Sequence, residues 1–200
     1  FEGNQRIICR RMSVPVRFVG FNLGDFRKVE LVDADHTIQA YANRQAEPSL
    51  HPRPQTVVVA PPVSTSSSPP GRRTVAQQLP RLTAVYRPPP DPAGRLGEVA
   101  AEVAGAFKFM RSHFGPPPTS TLTVSPIPGS FGQGLPGLVY LSTTTYLRPE
   151  ERPESSRGGL EETFYSEILE AHEVAHQWWG NVVAAAGDRD AWLMEALANY

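Results

Sequence analysis

The distribution of hydrophobic positions divides the chain into a β-rich first part, a proline-rich middle and a mixed last part. In the first part, short runs rich in β-branched residues alternate with turn signals, a pattern typical of antiparallel strands. These runs occupy residues 15–19, 28–32, 37–41 and 56–60. We therefore interpret residues 1–60 as the end of an N-terminal antiparallel β domain.

The middle part, residues 61–92, contains the sequences S-T-S-S-S-P-P-G and R-P-P-P-D-P. A segment of this composition buries little apolar surface, and its prolines favour extended backbone. We interpret it as a linker, in which residues 75–82 are the best candidate for a short ordered piece.

The last part, residues 93–200, begins with a predicted helix. Apolar residues recur at helical spacing along 93–113, and Gly115 with the prolines at 116–118 ends this helix. Composition then predicts short strands at 122–124 and 138–141, a glycine- and proline-rich loop at 126–136, and an exposed polar loop at 148–159.

A second helix is predicted over 160–179, with Gly180 at the position where a left-handed residue ends a helix. Glu161 and Glu162 lie in its first turn, where carboxylates complement the helix dipole. Two stripes run along it, so we expect nearly all of it to be buried. The stripes consist of residues 164, 168, 171, 175 and 178, and of residues 165, 169, 172 and 176.

A last helix starts near Ala191, with Asp190 as its N-cap candidate. The strands of the first part and the helices of the last part together predict the α+β fold class.

The composition is that of an ordinary globular chain, with 40% hydrophobic residues and a net charge of -1. No basic run supports nucleic-acid or membrane-surface binding, and no apolar run reaches the length of a membrane span. Cys9 is the only cysteine, which excludes an internal disulfide and a cysteine metal site. Because the sequence starts at Phe1 without a signal peptide and stops within a predicted helix, we interpret it as an internal fragment and assign no compartment.

The second predicted helix contains the sequence A-H-E-V-A-H-Q-W-W-G at 171–180. His172 and His176 are four residues apart, so on a helix both imidazoles lie on one face, one turn apart. Glu173 directly follows the first histidine. This H-E-x-x-H pattern is typical of zinc peptidases, in which it supplies two metal ligands and a general base.

A catalytic zinc site needs a third protein ligand and an open position for water. The extension H-x-x-G-x-x-H does not occur, because positions 179 and 182 are Trp and Val. Glu195 is the remaining candidate, eighteen residues (177–194) beyond the second histidine. That interval suffices to end one helix, turn, and return along an antiparallel helix. Glu195 would then face both histidines and leave Glu173 free as the base.

The alternative is that the pattern arose by chance and the histidines belong to a structural helix pair without a metal. Three observations favour the metal. Both histidines fall on one stripe of the helix, a carboxylate recurs at a workable interval, and Glu173 would be costly to bury without a function.

The sequence H-E-V-A-H-Q-W-W-G-N, followed by W-L-M-E-A-L-A-N-Y, resembles the aminopeptidase-N-like gluzincins. Their pattern is H-E-x-x-H, eighteen residues and then Glu, with flanking residues that match here as Gln177, Trp178, Gly180 and Asn181. The specific match covers about 170–200. The interval favours this family over thermolysin, in which it is one residue longer.

The resemblance implies that 93–200 is the first part of a thermolysin-like catalytic domain behind the N-terminal β domain. It implies one zinc ion per chain, bound by His172, His176 and Glu195, and a peptide or protein substrate. Zinc would lower the pKa of a water whose proton Glu173 accepts. Asn199, one turn beyond Glu195, either orients a ligand or is an ordinary polar helix residue.

The sequence departs from the family in one respect. Family aminopeptidases hold the free amino terminus of the substrate with the glutamate of a G-x-M-E-N motif. The corresponding residues 131–140 read F-G-Q-G-L-P-G-L-V-Y, without a glutamate. This departure leaves exo- and endopeptidase modes open, and it makes a non-catalytic peptide-binding relative the alternative function.

The same segment carries the predicted substrate contacts. The strand at 138–141 could pair with an extended peptide, and the glycines before it either let that peptide approach or are simply turn residues. The residues predicted to contact the substrate are Gly134, Leu135, Pro136 and Gly137.

Overall fold

The computed structural model describes residues 18–33, 35–52, 55–59, 81–85 and 87–200. The strand predicted at 15–19 and the linker predicted at 61–92, with its ordered piece at 75–82, lie mostly outside these ranges.

Strands and helices alternate through the described residues, and the α+β class is confirmed. The strands are β1 (Phe26–Asp33), β2 (His36–Asn43), β3 (Gln55–Val59), β4 (Arg81–Val85), β5 (Thr121–Ile127), β6 (Gln133–Leu135) and β7 (Leu138–Ser142). The α-helices are α1 (Leu96–Phe114), α2 (Gly159–Thr163), α3 (Leu169–Ala175) and α4 (Ala191–Asn199). None of the helices in the described part is both long and apolar enough to cross a bilayer.

Five strands form one mixed sheet in the order β1-β2-β5-β7-β6. β2, β5 and β7 are parallel neighbours, whereas β1 and β6 pair antiparallel at the two edges. β3 and β4 form a separate antiparallel pair. Strands from both sides of the predicted linker 61–92 therefore share one sheet, and the division of the chain at 60 and 92 stays a prediction.

The hydrophobic core lies between this sheet and the helices α1 and α3. β2 buries every second residue and α1 buries residues three or four apart, as the two periodicities require. Trp178, just beyond α3, packs against Phe107 of α1 with ring centroids 5.6 Å apart. Its indole N–H also donates to the carbonyl of Gly115 (3.1 Å). The segment that carries the histidines is thereby fixed against α1.

The helix predicted over 160–179 is helical without a break from Gly159 to Ala175, but it is not α-helical throughout. A π-helical turn, Phe164–Ile168, separates α2 from α3, and the N–H of Leu169 donates to the carbonyl of Phe164. A π turn adds a residue, so it rotates one part of the helix relative to the other and breaks a stripe read at constant spacing. Ile168 is consequently exposed, and Leu160 is 85% exposed, contrary to the expected burial.

The end of this helix also differs from the prediction. α3 ends at Ala175, and a tighter turn follows in which the N–H of Gln177 donates to the carbonyl of Val174 (2.9 Å). Gly180 has a φ of 109°, so a left-handed glycine does close the segment.

Two predicted loops contain more structure than their composition indicates. The loop at 126–136 includes the end of β5 and the whole of β6. The loop at 148–159, expected to be exposed, contains the buried Arg152, which donates to the carbonyl of Leu147 (3.2 Å) and the hydroxyl of Ser166 (2.7 Å). Asp190 lies at the N-cap of α4, but its side chain accepts no capping hydrogen bond.

Replacing a core leucine tests the packing. Leu122 of β5 is 1% exposed, so Leu122→Ala should lower the free energy of unfolding by about 2 to 5 kcal/mol. Leu160→Ala, at an exposed site, should change it by less than about 0.5 kcal/mol. Urea unfolding of both variants measures the difference. Equal midpoints would contradict the assignment of the core.

Candidate metal centre

Two histidines and a glutamate converge where α4 lies against the end of α3. The Nε2 atoms of His172 and His176 lie 3.1 Å apart. The Oε2 atom of Glu195, on α4, lies 3.3 Å from the first of these atoms and 3.5 Å from the second. The structure thus brings together the three residues that the sequence predicted as ligands. Within the described ranges, no other group of three or more His, Cys, Asp or Glu side chains converges in this way.

The spacing of the three ligand atoms fits a zinc ion. Bonds of about 2.0 to 2.2 Å in a tetrahedral arrangement place ligand atoms about 3.3 to 3.6 Å apart. The observed distances of 3.1, 3.3 and 3.5 Å lie at or close to this range. The donor set fits as well, because two imidazole nitrogens and a carboxylate oxygen facing one point repel one another unless a cation or proton lies between them.

The backbone beyond α3 orients the second histidine. The Nδ1 atom of His176 lies 2.9 Å from the carbonyl oxygen of Trp179, so Nδ1 carries the proton and donates it. In the neutral ring, Nε2 is then left with a free lone pair toward Glu195. A hydrogen bond of this kind fixes both the tautomer and the ring orientation of a metal-binding histidine.

The first histidine is held in its neutral form. The pKa of His172 is lowered, chiefly by burial and secondarily by the neighbouring His176. A neutral imidazole is the form that binds a metal ion. Asn199, on α4, donates its side-chain N–H to the carbonyl of Glu195 (3.0 Å), the bond of an ordinary polar helix residue, and also interacts with the His172 side chain.

Glu173 is 4% exposed and lies beside the cluster without belonging to it. Burial raises the pKa of Glu173 to about 8, and the negative charge of Glu195 adds to this shift. The backbone N–H of Gly134 donates to the Glu173 carboxylate and acts in the opposite direction. A buried carboxyl that holds a proton near neutral pH is suited to exchanging protons with a neighbouring group.

Two glycines allow the edge strand β6 to lie directly against α3. A Cβ at Gly134 would clash with the Cβ of His176 and would lie 2.6 Å from the carbonyl oxygen of Glu173. A Cβ at Gly132 would clash with the Glu173 carboxylate. Neither expectation for these glycines, approach of a peptide or a simple turn, included this contact with the helix that carries His172.

The four residues predicted to contact the substrate lie beside the candidate metal centre. Gly134 is buried against His176, and Pro136 and Gly137 form the turn between β6 and β7. The amide of Gln177 binds this turn, since its Nε2 donates to the carbonyl of Leu135 (2.8 Å) and its Oε1 accepts from the N–H of Gly137 (2.9 Å). Substrate contact by the four residues stays a prediction.

Sequence reasoning missed this role of Gln177. The available signal was a polar residue directly after the second histidine, on a helix expected to be buried. A buried amide needs partners for both its donor and its acceptor, but the sequence does not show where those partners lie.

No protein-family model matches the chain, but curated proteins do. Aminopeptidase N of Bos taurus is 32% identical over 127 residues, covering 58% of this chain and 12% of its own length. Aminopeptidase N of Homo sapiens is 34% identical over 130 residues, which are 60% of this chain and 12% of the relative's length. Aminopeptidase Ey of Gallus gallus is 33% identical over 115 residues, which are 52% of this chain and 11% of the relative's length.

Similarity to these relatives over about half of the chain supports an aminopeptidase-N-like family. It agrees with the family expected from residues 170–200, whereas the role of each motif residue stays a prediction. The chain spans about an eighth of the length of the curated relatives it matches.

The contact between β6 and α3 can be tested with two glycine variants. Gly134→Ala should lower the free energy of unfolding by about 1 to 3 kcal/mol, because the added methyl group forces the strand from the helix. Gly105→Ala, in α1 with no atom within 4 Å of the added Cβ, should raise it by about 0.5 to 1 kcal/mol. Urea unfolding measures both. A neutral Gly134→Ala would show that the strand does not lie this close.

Proposed function

We propose that this chain carries the metal ligands and the general base of a zinc-dependent, aminopeptidase-like gluzincin that hydrolyses peptide bonds. The observation that carries the proposal is the convergence of His172, His176 and Glu195 at zinc-ligand spacing beside the buried Glu173. The similarity to aminopeptidases supports the same reaction class.

His172, His176 and Glu195 would hold one zinc ion per chain. When bound, zinc supplies Lewis-acid chemistry, which acidifies a water molecule and polarises a substrate carbonyl. With a divalent cation beside it, Glu173 would be a carboxylate, which would accept the proton of the attacking water and deliver it to the amine that leaves. The N–H of Gly134 holds the Glu173 carboxylate in place through this exchange.

The substrate is a peptide or protein that lies along the edge strand β6 and its turn. The proposal covers hydrolysis of peptide bonds and does not extend to removal of amino-terminal residues. A protonated terminal amine requires an anionic partner, and residues 131–140 contain no carboxylate. The acidic residues at the metal centre, Glu173 and Glu195, have other roles in the proposal.

Metal binding provides the first test. The purified full-length protein should contain one zinc per chain by elemental analysis, and His176→Ala should lose it. Zinc at a thousandfold excess over its dissociation constant should stabilise the parent protein by about 4 kcal/mol. His113→Ala, an exposed histidine of α1, should retain both effects. A parent protein that binds no zinc would rule the proposal out.

The base provides the second test. Glu173→Gln should retain zinc, because Glu173 is not a ligand, but should lower kcat by about 100- to 10,000-fold. Glu167→Gln, an exposed glutamate of the π turn, should leave kcat unchanged. Cleavage of a mixed peptide library, followed by mass spectrometry, measures turnover. Full activity in Glu173→Gln would exclude Glu173 as the base, and a zinc-loaded parent that cleaves nothing would favour a non-catalytic peptide-binding protein.

A further inference from the structure

Gln177 is 1% exposed and lies between the end of α3 and the β6–β7 turn, without contributing to metal binding or proton transfer. Its side chain makes two hydrogen bonds to backbone, one with the carbonyl of Leu135 (2.8 Å) and one with the N–H of Gly137 (2.9 Å). Both polar atoms of the side-chain amide therefore form hydrogen bonds with the turn.

The turn requires a side chain of this kind. Gly137 has a φ of 70°, a left-handed conformation that suits glycine after Pro136. The carbonyl of Leu135, before the proline, and the N–H of Gly137, after it, both point toward Gln177. Only a side chain with a donor and an acceptor satisfies both groups, and glutamine provides them at the necessary length. A methionine would satisfy neither, and a glutamate would place a carboxylate oxygen against the Leu135 carbonyl.

The two bonds to the turn act together with a third between the edge strand and the metal-binding helix. The N–H of Gly134 donates to the carboxylate of Glu173. β6 has only three residues and pairs with β7 on one side, so its own ladder restrains it weakly. The position of the strand relative to the proposed metal ligands thus depends on these side-chain bonds as well as on the close contact of Gly132 and Gly134 with α3.

We propose that Gln177 is a positioning residue, which holds the edge strand Gln133–Leu135 and its turn at a fixed distance from the metal ligands. An extended peptide bound at this edge then presents its scissile carbonyl to zinc and Glu173. This inference rests on the proposed function, because it assigns Gln177 a part in substrate placement.

A purely structural role for Gln177 makes a different prediction. If the amide only satisfies buried backbone groups, its loss lowers stability but leaves the kinetic constants of the folded, zinc-loaded protein unchanged. A positioning role instead affects long substrates, which use the edge strand, more than short ones, which contact only the metal and the base.

The test compares Gln177→Met with Gln45→Met in the full-length protein. Gln45 lies in the exposed turn after β2, two strands away from the β7–β6 hairpin. In the metal-free protein, amide hydrogen exchange at Gly137 should become at least about tenfold faster in Gln177→Met alone, because its hydrogen bond is lost. This readout requires neither zinc nor activity.

Kinetic measurements then distinguish a positioning role of Gln177 from a purely structural one. At unchanged zinc content, Gln177→Met should raise KM for a peptide of six or more residues by at least about tenfold. KM for a dipeptide amide should change less than twofold. Gln177→Glu keeps the acceptor for Gly137 but not the donor for Leu135. It should show the same difference between long and short substrates, and it replaces the methionine variant if that variant does not fold.

The outcomes distinguish the two proposals. A zinc-loaded parent that hydrolyses no peptide overturns both the proposed function and the positioning role. A parent that hydrolyses peptides overturns only the positioning role if the Gln177 variants keep their KM for long peptides. Equal losses for long and short substrates, or unchanged exchange at Gly137, overturn it as well.

Discussion

The close contact between the edge strand β6 and α3 is the constraint on which the candidate site depends. It exists because positions 132 and 134 have no Cβ, so backbone can lie against Glu173 and His176. The contact removes water from the Glu173 carboxylate, and the N–H of Gly134 replaces part of the lost hydration. Burying a polar group without a partner costs several kcal/mol, so the contact and the hydrogen bond depend on each other.

The core supports this contact from the opposite side of the helix. Trp178 follows His176 by two residues, is buried against Phe107 and donates to the carbonyl of Gly115. The end of α3 is thereby fixed to α1, which itself packs on the central strands. The tight turn beyond Ala175 then places the Trp179 carbonyl where it can orient the His176 ring. Packing of the core and geometry of the candidate ligands are therefore set by the same few residues.

Sequence reasoning succeeded where short-range rules decide the structure. The periodicity of α1 predicted its span closely, and the four-residue interval between His172 and His176 placed both on one helix face. The interval before Glu195 allowed α4 to return alongside α3, as the structure shows.

Long-range contacts decide the features that sequence reasoning missed. β6 has three residues, too few for any alternation to be visible. The π turn before Leu169 inserts a residue that no local pattern marks. Arg152 and Gln177 are buried because distant backbone and side-chain groups bind them, and such partners cannot be identified from neighbouring residues.

The two buried glutamates of α3, Glu170 and Glu173, have different charged neighbours. Burial raises the pKa of Glu170 to about 7, and the negative charge of Glu102 adds to this shift, whereas the positive charges of Arg95 and Arg152 act in the opposite direction. Glu173 lies three residues further along, and the only side-chain charge that shifts its pKa, that of Glu195, is negative and raises it. A buried charge is stabilised by an opposite charge nearby, and arginines provide it for Glu170. A divalent cation held by His172, His176 and Glu195 would provide it for Glu173. The helix therefore carries one buried carboxylate whose charge arginines offset in part, and another for which a bound metal ion would supply the opposite charge.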